Sequence, residues 1–152
     1  LEGFHVPYIH KGLNKDIDLD SYKTILLENG VLQFTEGKLD KKNNIMGSNI
    51  YAFYYWIFPN IMLNFYAWGL SVNIIEPLAV NKTKITFLSF PIKGFEQNKE
   101  SPSSLDVIEK EDQDIVKKVQ KGIMSHSYKQ GRYSVKYESG VHHFHKLICE
   151  NL

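Results

Sequence analysis

The sequence predicts an α+β domain built on an antiparallel sheet, because its strand-like segments cluster mid-chain and its helical segments lie towards the ends. Two patterns carry that class. Segments rich in Tyr, Phe, Ile and Val fill residues 22–92, and an apolar stripe of helical period runs through residues 105–127. A length of 152 residues is that of one domain, long enough to bury a real core.

Residues 22–35 read as a hairpin in which two apolar runs flank the turn signal Glu28-Asn29-Gly30. Residues 37–48, with their lysines and Asn43-Asn44, read as a mobile loop. Residues 50–80 are apolar but interrupted by Pro59, Asn60, Asn64, Asn73, Glu76 and Pro77. A membrane span needs about 20 predominantly apolar residues in one run, so this stretch reads instead as strands, with breaks at Phe58-Pro59-Asn60 and Glu76-Pro77. Residues 84–92 form a further strand, entered by a polar turn at Asn81-Lys82. Asn81-Lys82-Thr83 also fits a glycosylation sequon, but nothing else in the sequence points to secretion.

The long helix takes Pro102, Ser103 and Ser104 as its start signal. At about 100° per residue, Leu105, Ile108, Ile115, Val116, Val119 and Ile123 share a stripe roughly 100° wide. A last helix spans residues 141–150, with Val141, Phe144, Leu147 and Ile148 on its apolar face.

Asp112 falls near the middle of the long helix's stripe, whereas Glu109, Glu111 and Asp114 fall at its edge or outside it. A carboxylate on an apolar face is expensive to bury unless a positive group pairs with it or a metal coordinates it. Bonding to a buried arginine or to backbone amides is the alternative. Arg132 is the only arginine, which favours a metal or a histidine as the partner. His5 and His10, in LEGFHVPYIHKGL, complete a set of two imidazoles and one carboxylate, the facial arrangement that holds non-haem Fe(II) with coordination positions open. Spacing alone leaves this undecided, since a His-x4-His pair lies about 140° apart on a regular helix. Pro7 disturbs the local pattern, and a widened turn of π type would bring the two rings together; otherwise they are ordinary loop histidines. His142, His143 and His145 offer a second histidine group, for which packing and polar contacts on the last helix are the better reading.

A net charge of +1 gives no electrostatic case for nucleic acid. The one cysteine, Cys149, excludes an internal disulfide framework and suits a reducing, cytoplasmic compartment, and no signal peptide is recognisable.

LEGFHVPYIHKGL resembles the mononuclear-iron motif of Rieske-type ring-hydroxylating oxygenase α subunits, in which an acidic residue precedes a His-x4-His pair by three positions. YYWIFPNIMLNFYAWGLSVNIIEPLAVNKTKITF is similar to the central strands of that family's C-terminal catalytic domain. The segment EDQDIVKKVQKGIMSHSYKQGRYSVKYESGVHHFHKLICENL is similar to the choline monooxygenase group, with its Glu-Asp pair, VQ-G, GRY and HHFH in the same order. The resemblance covers nearly the whole chain and is weakest over residues 14–48.

The resemblance implies a helix-grip fold (START/Bet v1-like), an antiparallel sheet wrapped on the long C-terminal helix around a cavity and incomplete at its N-terminus. It makes His5, His10 and Asp112 the ligands of Fe(II), and Glu2 the acidic relay for electrons arriving from a neighbouring subunit's Rieske cluster. Ile108, Phe53 and Tyr55 are then expected to bind substrate. A Rieske [2Fe–2S] cluster takes two cysteines and two histidines, and no Cys-x-His or Cys-x-x-His pair occurs here. Residues 1–152 are therefore expected to be the mononuclear-iron catalytic domain of a longer protein, inactive without its Rieske domain.

Further implications are dioxygen and a small organic substrate as reactants, NAD(P)H electrons delivered through a reductase or ferredoxin, and a homotrimer. Monooxygenase and dioxygenase outcomes both stay open, as do an aromatic compound and a quaternary amine as substrate. Tyr54, Tyr55, Trp56, Tyr66 and Trp68 are numerous enough for an aromatic cage around a quaternary amine, although strand aromatics also build cores. The rival reading is a non-catalytic helix-grip domain holding a hydrophobic small molecule. Such a domain has no need of Asp112 on an apolar face, nor of Glu2 before the histidine pair.

Overall fold

The computed structural model describes residues 1–38, 44–45, 47–94 and 104–152. Six strands form one antiparallel sheet in sequence order: β1 (Ile17–Leu27), β2 (Gly30–Gly37), β3 (Ile50–Ile57), β4 (Ile61–Tyr66), β5 (Gly69–Ala79) and β6 (Lys82–Pro91). A one-turn helix α1 (Val6–Ile9) and a 3-10 turn (Leu13–Lys15) precede the sheet, and α2 (Leu105–Ile123) and α3 (Ser139–Glu150) follow it. The α+β class holds, and every sheet connection is a local one of the kind hairpins allow.

Strand alternation sorts the side chains. Thr24, Gln33, Tyr54, Asn64, Ser71 and Ser89 stand opposite one another across all six strands, giving the inner face a polar row. At one end of that face, Leu147 and Phe144 of α3 pack on Val31 and Trp56. The Trp56 and Phe144 rings meet edge to face, 4.7 Å between centroids. At the other end, Val6, Leu13 and Ile17 of the N-terminal segment close over Tyr51 and Ala52, with Ile108 of α2 against them.

Several expected boundaries move. The first hairpin turns where predicted, but β1 starts at Ile17, because Thr35 and Ser21 hydroxyls both donate to the Asp18 carbonyl and hold an irregular stretch in the sheet. The break at Phe58-Pro59-Asn60 is present, with a cis peptide before Pro59. The break expected at Glu76-Pro77 is absent. β5 runs through it, because Pro77, which lacks an N–H, sits opposite Thr83 where the ladder shifts register. The chain turns instead just before Gly69, whose φ of 148° suits glycine and whose missing Cβ leaves room for the Phe90 carbonyl.

α2 ends at Ile123 and α3 begins at Ser139, shorter and longer than predicted. Of the start signal, Pro102 and Ser103 lie outside the described residues, as does much of the loop expected at 37–48. The apolar stripe of α2 is buried only in part. Ile108 packs against the N-terminal core, whereas Val116, Val119 and Ile123 are 63%, 55% and 44% exposed. The sheet is gripped by the first turns of α2, not by its whole length. Among the described residues no helix is long and apolar enough to cross a membrane.

Trp56 is 2% exposed and joins the sheet to α3. Trp56→Ala should lower unfolding stability by about 3–5 kcal/mol, read from the urea midpoint at constant m-value.

Candidate metal centre

His5 and His10 bracket α1, and the backbone brings their rings together by a route other than the widened turn predicted. His5 is the helical N-cap and its carbonyl accepts from the Ile9 N–H, an ordinary α turn. His10 is the C-cap, at φ −99°, ψ 67°, and its ring lies beside that of His5 with centroids 5.0 Å apart. Pro7 at the start of the turn supplies the φ that a first helical residue needs.

Three donor atoms converge. His5 Nε2 and His10 Nε2 are 3.2 Å apart, and Asp112 Oδ1 of α2 lies 3.0 Å from His10 Nε2 and 3.7 Å from His5 Nε2. Among the described residues this is the one group of three such side chains placed to hold an ion. Ligand bonds of about 2.1 Å at right angles put neighbouring donors about 3.0 Å apart, so the three atoms fit one face of an octahedron.

The outer nitrogens explain why. His5 Nδ1 donates to Glu2 Oε1 at 2.6 Å, and His10 Nδ1 donates to Glu111 Oε2 at 2.8 Å. Ionised carboxylates only accept, so each hydrogen bond keeps a proton on Nδ1 and leaves the Nε2 lone pair of the neutral ring facing inward. Two lone pairs and a carboxylate oxygen aimed at one point repel unless a cation separates them. The donor set fits a divalent metal.

Burial works against charge on His10, but the carboxylates of Asp112 and Glu111 on either side of its ring outweigh it and raise its pKa, so without a metal the ring favours a second proton, which an ion at Nε2 would displace. Burial likewise opposes ionisation of Glu2, yet the bond to the His5 ring holds its pKa below the usual carboxylate value. The Glu2 Oε2 atom also accepts the His5 backbone N–H, so this side chain fixes both ring and main chain. His10 is 2% exposed, while the side chains of His5 and Asp112 are 34% and 47% exposed. Asp112 thus stands at a cavity mouth, half-exposed, on the cavity-facing side of the helix.

That cavity, of about 200 Å³, lies under the inner face of the sheet. Ile108 lines it as predicted, but Phe53 and Tyr55 do not. Strand parity puts those two on the outer face, where Phe53 packs on Phe34 and Tyr55 on Phe65. Tyr54 takes their place, with Tyr66 edge-on to it at 5.9 Å and Trp68 stacked on Tyr66 at 5.2 Å. Trp56 belongs to the α3 core. The sequence reading also missed Glu111, rejected as off the stripe. The angle that removes it from the cavity turns it towards the segment carrying His10. Of the C-terminal histidines, His145 pairs with the Tyr133 hydroxyl and His143 with the Leu27 carbonyl.

An α+β domain whose antiparallel sheet covers a cavity, with two histidines and an aspartate at its mouth, is the layout of an oxygenase catalytic domain. The chain belongs to the ring-hydroxylating oxygenases: the family "Ring hydroxylating alpha subunit (catalytic domain)" matches residues 1–152. It is 34% identical to choline monooxygenase of Arabidopsis thaliana over 99% of this chain and 36% of that protein. It is 27% identical to the carnitine monooxygenase oxygenase subunit of Escherichia coli over 99% of this chain and 44% of that protein. The chain thus spans less than half the length of these relatives. Among solved structures, the quaternary ammonium Rieske monooxygenase CntA shares the fold with a TM-score of 0.78 at 21% identity, over 98% of this chain and 43% of the other.

Two outcomes follow from the geometry. If the three donors hold a divalent ion, Glu111→Gln should weaken its affinity by about 10–100-fold, and Asp114→Asn, on the solvent side and paired with Lys117, should leave it unchanged in a metal-competition titration. Glu109 lines the cavity, and burial, aided by the charges of Asp106 and Asp112, pushes its pKa from 4.5 up to about 7. The unfolded chain releases that proton near 4.5 and the folded chain near 7, so the folded state loses stability as pH rises through this window. Glu109→Gln should therefore have a higher melting temperature than the parent at pH 8, with the gain vanishing below pH 4.5.

Proposed function

We propose that this chain is the mononuclear-iron catalytic domain of a Rieske-type monooxygenase that hydroxylates a small quaternary ammonium compound. The observation carrying the reading is the convergence of His5 Nε2, His10 Nε2 and Asp112 Oδ1, with both imidazoles locked from behind by carboxylates. Bound there, Fe(II) supplies the activation of dioxygen needed to hydroxylate an unactivated C–H bond.

The chain's own residues do the rest. His5, His10 and Asp112 would hold the ion. Glu111 and Glu2 fix the ring orientations. Tyr54, Tyr66 and Trp68 line the cavity, and aromatic rings are the surface that a quaternary ammonium favours. The names of the relatives, choline and carnitine monooxygenase, favour that substrate over the aromatic compound that the sequence alone left open.

Glu2 is the route for electrons. Its carboxylate bonds His5 and keeps lone pairs for a further histidine, as a hydrogen-bonded bridge to a cluster requires. One cysteine cannot supply the two thiolates of a Rieske cluster, so the cluster is held outside these residues. Reducing equivalents then come from NAD(P)H through a reductase, and a trimer lets one subunit's cluster serve the next subunit's iron.

The test joins the protein, loaded with Fe(II), to its Rieske domain and a reductase. Choline or carnitine should drive oxygen uptake matched by hydroxylated product, and His5→Ala should abolish both iron binding and turnover. Full activity in the iron-free His5→Ala protein would overturn the reading.

A further inference from the structure

Three acidic side chains line the cavity, and two of them face the histidine pair: Glu2 bonds His5, and Asp112 faces both rings. Glu109 is the third. It lies on α2 one turn before Asp112 and lines the same cavity as Tyr54, Tyr66 and Trp68. Among the described residues no lysine, arginine or histidine makes an ion pair with it.

A carboxylate in that position loses hydration and gains nothing while the cavity is empty. Its charge is felt at the aromatic wall: Tyr66 ionises above the ordinary range through burial, then through Tyr51 and Glu109. Asp106 and Asp112 flank it on its own helix, and the cavity is also lined by Glu2, His5, His10, Tyr22, Tyr51, Tyr54 and Tyr66. The groups there that can carry positive charge are the two imidazoles and the Leu1 amino group, and these face Glu2, Glu111 and Asp112. A second observation points to a polar ligand in the same place. Asn64, 6% exposed, also lines the cavity, and its side-chain oxygen is buried without a partner.

We propose that Glu109 is the specificity-determining residue of the cavity, the counter-charge to a cationic head group seated against the Tyr54, Tyr66 and Trp68 wall. The inference rests on the cavity being the substrate site proposed above. Aromatic faces attract a quaternary ammonium, but they also pack well on its uncharged carbon analogue. A carboxylate separates the two. A quaternary nitrogen has no N–H to donate, so its pairing with Glu109 is Coulombic and needs no close hydrogen-bond geometry. A side chain reaching in from α2 towards a wall on the sheet meets that requirement.

The test compares choline with 3,3-dimethylbutan-1-ol, its neutral isostere, by calorimetry on the iron-loaded protein at pH 8, where Glu109 is ionised. The parent should prefer choline, and Glu109→Gln should weaken choline binding at least about tenfold while leaving the alcohol within about twofold. The isostere measured on the same variant reports whether the cavity is still folded. Equal losses for both ligands would mean that Glu109 only packs, and no loss would mean that it does not face the ligand; either overturns the inference. A parent that binds iron but does not prefer choline would overturn it while leaving the oxygenase reading in place. Charge selectivity without any bound iron would do the reverse.

Discussion

Two hydrogen bonds, Glu2 to the His5 ring and Glu111 to the His10 ring, are the constraint on which the site depends. Each fixes a tautomer and a ring orientation at once. Without them, either imidazole could turn its N–H inward and donate to Asp112 or to the other ring, and the cluster would satisfy itself without a cation. With both outer nitrogens taken, the inward atoms of the neutral rings are acceptors, a donor set that fits a divalent ion.

The fold supplies these contacts from two places far apart in sequence. Glu2, His5 and His10 come from the first turn of chain, pinned over the sheet by Val6, Leu13 and Ile17. Glu111 and Asp112 come from α2, where consecutive residues point about 100° apart. That angle lets one helix serve two purposes: Asp112 turns to the cavity mouth and Glu111 to the back of His10. It also explains why only the first turns of α2 need to pack. Exposure differs across the site in the same sense. His10 is buried at 2%, whereas His5 and Asp112 open on the cavity side, which keeps one side of the cluster accessible.

Much of this was legible in the sequence, and the failures have physical reasons. The sheet was readable because Asn29-Gly30 and Pro59 mark turns that no continuous strand tolerates. Pro77 misled because a proline opposite a register shift leaves no ladder bond unmade. The convergence of His5, His10 and Asp112 was readable through the motif, not through helical geometry, since an ordinary one-turn helix with His10 as its C-cap brings the rings together without the widened turn expected. Glu111 was missed because an apolar stripe describes one contact surface, and α2 has two. Phe53 and Tyr55 were chosen for their chemistry without fixing strand parity, and one residue of register moves every side chain to the other face. Tyr54 is the consequence.

Charge at the site bears on the proposed substrate. Glu2, Glu111 and Asp112 carry three negative charges when ionised, and a divalent ion offsets two of them. The loaded centre remains anionic before Glu109 is counted. An aromatic acid entering this cavity brings a carboxylate towards like charge in a partly desolvated space, where such repulsion is least screened. A quaternary ammonium meets the opposite situation. Its charge is attracted by the centre, and its methyl groups displace water from Tyr54, Tyr66 and Trp68. The carboxylates that orient the ligand histidines therefore act twice, since the field that favours a metal at the inward nitrogens also favours a cation in the adjoining cavity.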